Sequence, residues 1–113
     1  MKKTVIINFD IEGTHNYPNP PREVYYLTYE HRHLFKIKCG FNVQDSNREI
    51  EIFMQEEIIK TYLKEEYWHV EYSDVCEFGN MSCEMIAEDI LNKFGCDWVE
   101  VLEDNRGGAR VEI

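Results

Sequence analysis

Two long stretches of strict alternation, separated by a segment that cannot be a strand, constrain this chain more than any other feature. Over residues 4–12, Val5, Ile7, Phe9 and Ile11 fall on one side, and Ile6, Asn8, Asp10 and Glu12 on the other. That is the period of a strand with one face in a core and the other in water. From Glu30 to Val43 the pattern returns: His31, His33, Phe35, Ile37, Cys39 and Phe41 share one face, with Arg32, Lys36 and Lys38 opposite. Between them, NYPNPPRE (residues 16–23) holds all three prolines. Proline lacks the N–H that a sheet interior needs, so this segment is a loop.

The remaining periodicities fill in a topology. After the turn Asp45-Ser46-Asn47, the run REIEIF (residues 48–53) pairs Ile50 with Ile52 by period two and predicts a short third strand. Met54, Ile58, Ile59, Tyr62 and Leu63 stand at helical spacing and predict a helix over 54–66. A second helix is expected from an N-cap at Ser82 through Met85, Ile86, Ile90, Leu91 and Phe94 to a stop at Gly95. The segment between the helices, which contains His69, has no regular period. The last stretch, DWVEVLEDNRGGARVEI, alternates on both sides of Asp104–Gly108 and predicts a hairpin. The sum is one α+β domain over residues 1–113: an antiparallel four-stranded sheet with two helices on one face, in the order β-β-α-α-β-β.

Charge narrows the partners. With 22 acidic against 12 basic residues the net charge is −10, so no basic face is available to neutralise phosphates, and nucleic acid is excluded as an expected partner. An anionic ligand would need a local cationic or metal-bearing pocket. No apolar run approaches the roughly 20 residues of a membrane span, and MKKTVIINFD turns polar too early for a secretory leader. No membrane partner and a cytoplasmic location are therefore expected. Cys39, Cys76, Cys83 and Cys96 form no C-x-x-C pair and read as buried thiols.

Within this frame the histidines stand out. His31 and His33 are i and i+2 on one strand, so both project to one face about 6–7 Å apart. His15 lies just past the end of the first strand, and residues 16–30 return the chain beside it if the two strands pair antiparallel. Three neutral imidazoles with an open fourth position form a catalytic-type zinc set. Imidazole also suits copper and iron, so the residues alone leave the metal open.

Four segments now carry a resemblance: F-x-x-x-G-T-H-N-Y-P-N from Phe9, E-H-R-H-L-F-K-I-K from Glu30, M-S-C-E-M-I-A-E-D-I-L from Met81 and V-E-V-L-E-D from Val99. In this order, over nearly the whole chain, they resemble the 6-pyruvoyltetrahydropterin and 6-carboxytetrahydropterin synthase family, the tunnelling fold. The resemblance implies zinc on His15, His31 and His33, a pterin-gripping carboxylate at Glu103, and a ligand-contacting turn at Ser82-Cys83-Glu84. A carboxylate suits a guanidine-like edge because it accepts two parallel N–H bonds. The family joins its subunits into barrels, so a homo-oligomer, trimer to hexamer, is implied as well.

Departures from the family pattern are equally specific. The family's proton-transferring cysteine lies four residues before the H-x-H, where this chain has Leu27, a side chain without proton chemistry. The family's H-G-H is here His31-Arg32-His33, and its Asp-His pair is half kept as Trp68-His69, which leaves His69 as the catalytic candidate. Cys83 and Glu84 each have a plain alternative, as a core thiol and as a carboxylate favoured by the helix dipole. Glu103 shares a strand face with Val99 and Val101, and an inward carboxylate costs free energy unless paired. Two readings follow. One is a zinc-containing module that binds a pterin, purine-like or nucleotide-derived small molecule with reduced or absent synthase activity. The other is an active synthase or lyase using a non-cysteine base such as Tyr26, Tyr29 or Glu30.

Overall fold

A computed structural model describes all residues, Met1–Ile113. Its elements in chain order are β1 (Lys3–His15), a 3-10 segment (Arg22–Thr28), β2 (His31–Val43), α1 (Ile52–Glu66), β3 (Cys76–Gly79), α2 (Cys83–Phe94), β4 (Trp98–Glu103) and β5 (Gly107–Glu112). The sheet is five-stranded and mixed, with spatial order β3-β1-β2-β4-β5. This corrects the expected antiparallel four-stranded sheet. The added strand, β3, runs parallel to β1 along Gly13–His15, with a register shift between Thr14 and His15. Cys76 and Phe78 turn into the core from it, and a strand of four residues is too short to announce itself by periodicity.

The expected strand over 48–53 is not formed either. Glu49 turns its carboxylate onto the N–H groups of Gln44 and Asp45, each at 2.9 Å, and Arg48 takes a left-handed φ of 57°. Glu51 then caps α1, accepting from Phe53 N at 2.6 Å and Met54 N at 3.0 Å, so Ile52 begins a helix. Two carboxylates satisfying local N–H groups outcompete the two-isoleucine alternation. α2 follows the expected caps: Ser82 Oγ accepts from Met85 N at 3.2 Å, and Gly95 closes the helix at φ 65°.

One row of side chains makes the core. Ile7, Phe9 and Ile11 of β1, Phe35, Ile37 and Cys39 of β2, and Val99 and Val101 of β4 meet Ile59 and Leu63 of α1 and Ile86, Ala87 and Ile90 of α2 in a single buried cluster. All are odd-numbered in the strands, as the strand period requires. Each fully buried Ile or Phe contributes about 1.5–3 kcal/mol. All four cysteines are buried free thiols. No helix is long and apolar enough to cross a membrane.

Candidate metal centre

The core-facing row of odd residues continues beyond Phe35 to the end of the sheet, and there it becomes polar. The β1–β2 register sets His15 directly opposite His31, and Gly13 opposite His33. Ring centroids are 4.6 Å apart for His15 and His31, 5.3 Å for His15 and His33, and 4.9 Å for His31 and His33. Phe35 forms the floor, its ring 5.2 Å from His15 and 5.6 Å from His33. Gly13 must be small here, because a Cβ would stand 2.5 Å from the Phe78 ring and 3.0 Å from Phe35.

Hydrogen bonds behind the rings decide what they offer in front. His15 Nδ1 lies 2.9 Å from the Met81 carbonyl, His31 Nδ1 2.9 Å from the Tyr29 carbonyl, and His33 Nδ1 2.7 Å from Asp104 Oδ2. Every partner is an oxygen acceptor, so each Nδ1 carries the proton and donates it. Each Nε2 is left with a lone pair. The candidate ligand atoms of the three rings lie within 4.8 Å of one another. The outer partner of a metal-binding histidine acts in this way, fixing the tautomer and the ring plane. Burial pushes the His15 imidazole below its ordinary value, partly offset by the Met81 carbonyl and Glu103, which also favours the unprotonated ring.

Glu103 closes the arrangement from β4. Its Oε1 is 3.0 Å from His15 Nε2 and its Oε2 3.4 Å from His33 Nε2, yet both nitrogens are buried without completing a hydrogen bond. Lone pairs face carboxylate oxygens at these contacts, which is repulsive unless a proton or a cation comes between them. The three imidazoles make a group that could hold a divalent metal ion, with the Glu103 carboxylate adjoining it.

A cavity of about 590 Å3 opens beside the histidines, lined among others by His15, Leu27, Ser82, Cys83, Glu84 and Glu103. The lining holds two carboxylates and neither lysine nor arginine. Ser82 Oγ is committed to capping α2, and Glu84 is exposed in the first turn of that helix. Cys83 Sγ donates to Glu103 Oε1 at 3.6 Å. Burial, with Glu103 close by, pushes this thiol up to about 12, so it stays protonated at neutral pH. Leu27 stands in the cavity wall.

His69 belongs elsewhere. It is 5% exposed and does not line the cavity. It joins Glu30 and Glu77 in a second cluster, on the sheet face away from the helices, because Glu77 alternates with the core residues Cys76 and Phe78. Here the hydrogen bonds run the other way. His69 Nδ1 accepts from Glu71 N at 3.1 Å, so Nε2 holds the proton and donates to Glu30 Oε1 at 3.1 Å. The Thr14 hydroxyl and His69 together hold the Glu30 carboxyl below the usual carboxylate range. Of the other proposed bases, Tyr26 and Tyr29 are exposed, and Tyr29 contributes only its backbone carbonyl. The residue that sequence reasoning missed is Asp104, the partner of His33. Its one signal was its position directly after Glu103. No family model matches the chain, and no curated protein matches it.

Proposed function

We propose that this chain binds zinc on His15, His31 and His33 and captures in the adjoining cavity a pterin, purine-like or nucleotide-derived small molecule, with little or no synthase chemistry. The observation that carries the reading is that one ring nitrogen from each of His15, His31 and His33 lies within 4.8 Å of the others, while each Nδ1 faces an oxygen acceptor behind its ring. The resemblance to the 6-pyruvoyltetrahydropterin synthase family, with its four sequence segments in the same order, is a second support. Bound zinc would supply Lewis acidity toward a ligand carbonyl or hydroxyl oxygen.

The chain's own residues define the ligand. Glu103 accepts N–H bonds from an amidine- or guanidine-like edge, and apart from the proposed zinc the lining offers a phosphorylated side chain no cation, only two carboxylates. An unphosphorylated heterocycle is the better occupant. Neither Leu27 nor the protonated Cys83 can take a proton from it. A positioned acid or base typically contributes about 10²–10⁴-fold, so conversion of dihydroneopterin triphosphate is expected to be slow or absent. Turnover at the speed of an intact synthase would establish the enzyme reading instead.

The direct test is metal analysis of the purified protein, wild type and with His31→Ala and His33→Ala combined, followed by mass spectrometry of co-purifying small molecules. About one zinc per chain is expected in the wild type and none in the double variant. Stoichiometric metal persisting in the variant would exclude these residues as the ligands.

A further inference from the structure

Resting on the zinc reading above, we propose that Asp104 is a positioning residue: it makes His33 a metal ligand by fixing the proton on Nδ1, and without its two carboxylate oxygens the site loses one of its three donors. The three rings are not held alike. His15 and His31 donate to backbone carbonyls, which no side-chain replacement at the acceptor residue removes. Only His33 donates to a side chain, so it is the one ligand whose tautomer a substitution can alter.

The local structure gives that side chain one orientation. Asp104 N donates to the Leu34 carbonyl at 2.8 Å, and Leu34 N donates back to Asp104 Oδ1 at 2.9 Å. Both backbone groups of the residue next to His33 are thereby gripped by Asp104, and Oδ2 is left to His33 at 2.7 Å. The carboxylate has no spare oxygen. Its backbone is unusual as well: Asp104 and Asn105, the central pair of the turn between β4 and β5, have φ of 51° and 57°. Two successive left-handed residues form the tight turn that Arg106 N closes onto the Glu103 carbonyl at 2.9 Å, and glycine fills such positions at least strain. Aspartate tolerates that region as asparagine does, so the turn can carry the side chain that reaches His33. The same turn begins at Glu103, so one three-residue link, Asp104–Arg106, orients both carboxylates that face the histidines.

Asp104→Asn separates this role from a merely structural one. Asparagine is at home in the left-handed region, so the turn is retained. The two donors meet different oxygens of Asp104, Leu34 N at Oδ1 and His33 Nδ1 at Oδ2, and with the asparagine oxygen on Leu34 N the other position is an –NH2 donor. The amide –NH2 then faces the His33 nitrogen, favouring the tautomer with the proton on Nε2, the atom that should bind metal. Two readouts are needed: zinc affinity by competition with a chelator, and the protonation pattern of the four histidines in the zinc-free protein by nitrogen-15 NMR. The expected result is Nδ1–H at His33 in the wild type, a shift toward Nε2–H in Asp104→Asn, and about 10–100-fold weaker zinc binding. Wild-type affinity in the variant with His33 still protonated on Nδ1 would overturn the proposal. The same holds for a variant that loses zinc without any change in the His33 tautomer. A wild type that takes up no zinc while Asp104→Asn still inverts the ring would remove the zinc reading and leave the control of His33 by Asp104 standing.

Discussion

The direction of one hydrogen bond at Nδ1 sorts the four histidines into two kinds. His15, His31 and His33 face oxygen acceptors and present lone pairs; His69 faces an N–H and presents a proton. His69→Ala is therefore expected to leave zinc stoichiometry at the wild-type level. It should lower stability by about 1–2 kcal/mol, because Glu30 and the Glu71 N–H lose a partner. Zinc loss in that variant, measured by metal analysis, would show that the tautomer distinction does not govern binding. This distinction also marks the limit of the sequence. Strand alternation placed His31 and His33 on one face, and antiparallel return brought His15 to them, because both follow from period and connection alone. The partners behind the rings were not legible: Met81 lies 66 residues from His15 in sequence, and Asp104 lies 71 from His33. Nothing local forecasts contacts of that range.

At the scale of elements, the two helices are tied through a single carboxylate. Asp89 of α2 accepts from Tyr62 of α1 at 2.9 Å and from Tyr67, the residue that ends α1, at 2.7 Å. Burial first, and then the nearby Asp89, push the Tyr62 phenol up to about 12 and raise that of Tyr67 as well. An unfolded tyrosine ionises near pH 10, so the folded state holds these protons more tightly than the unfolded chain does. Their contribution is complete below pH 10 and is lost as pH rises from there toward 12. Melting temperatures at pH 8 and pH 11 should therefore differ more in the wild type than in Tyr62→Phe, which at neutral pH is expected to cost about 1 kcal/mol. An equal alkaline drop in both proteins would exclude this pair as its source. Element reading from the sequence succeeded where a helix had both an apolar stripe and a cap, as in α2. It failed at residues 48–53, where side-chain carboxylates satisfied the backbone before a partner strand could, and at β3, whose four residues pair in parallel with a strand some sixty residues earlier.

For the whole molecule, the mixed sheet fixes which strand edges are open to a second copy. The strand that begins at Trp98 is interior, since β4 lies between β2 and β5. The edge strands are β5, over Gly107–Glu112, and the short β3, which leaves the part of β1 before Gly13 uncovered. β5 carries no proline, and its charges are paired within the sheet, Arg110 with Glu100 and Glu112, so it is poorly blunted against another chain. Gly107 and Gly108, at the start of this edge, also line the cavity. A copy docked along β5 would thus border the proposed ligand site, and occupancy and assembly would be linked. The net charge of −10 opposes this, through a repulsion that salt screens over roughly 8–10 Å and that each bound divalent ion reduces. We expect a homo-oligomer, in the trimer-to-hexamer range implied by the family resemblance, whose association strengthens with zinc and with moderate salt. Light scattering at micromolar protein, with and without a chelator, measures both dependences. A monomer of 13.6 kDa with zinc bound at every salt concentration would rule out a site shared between subunits, because the three histidines would then be sufficient within one chain.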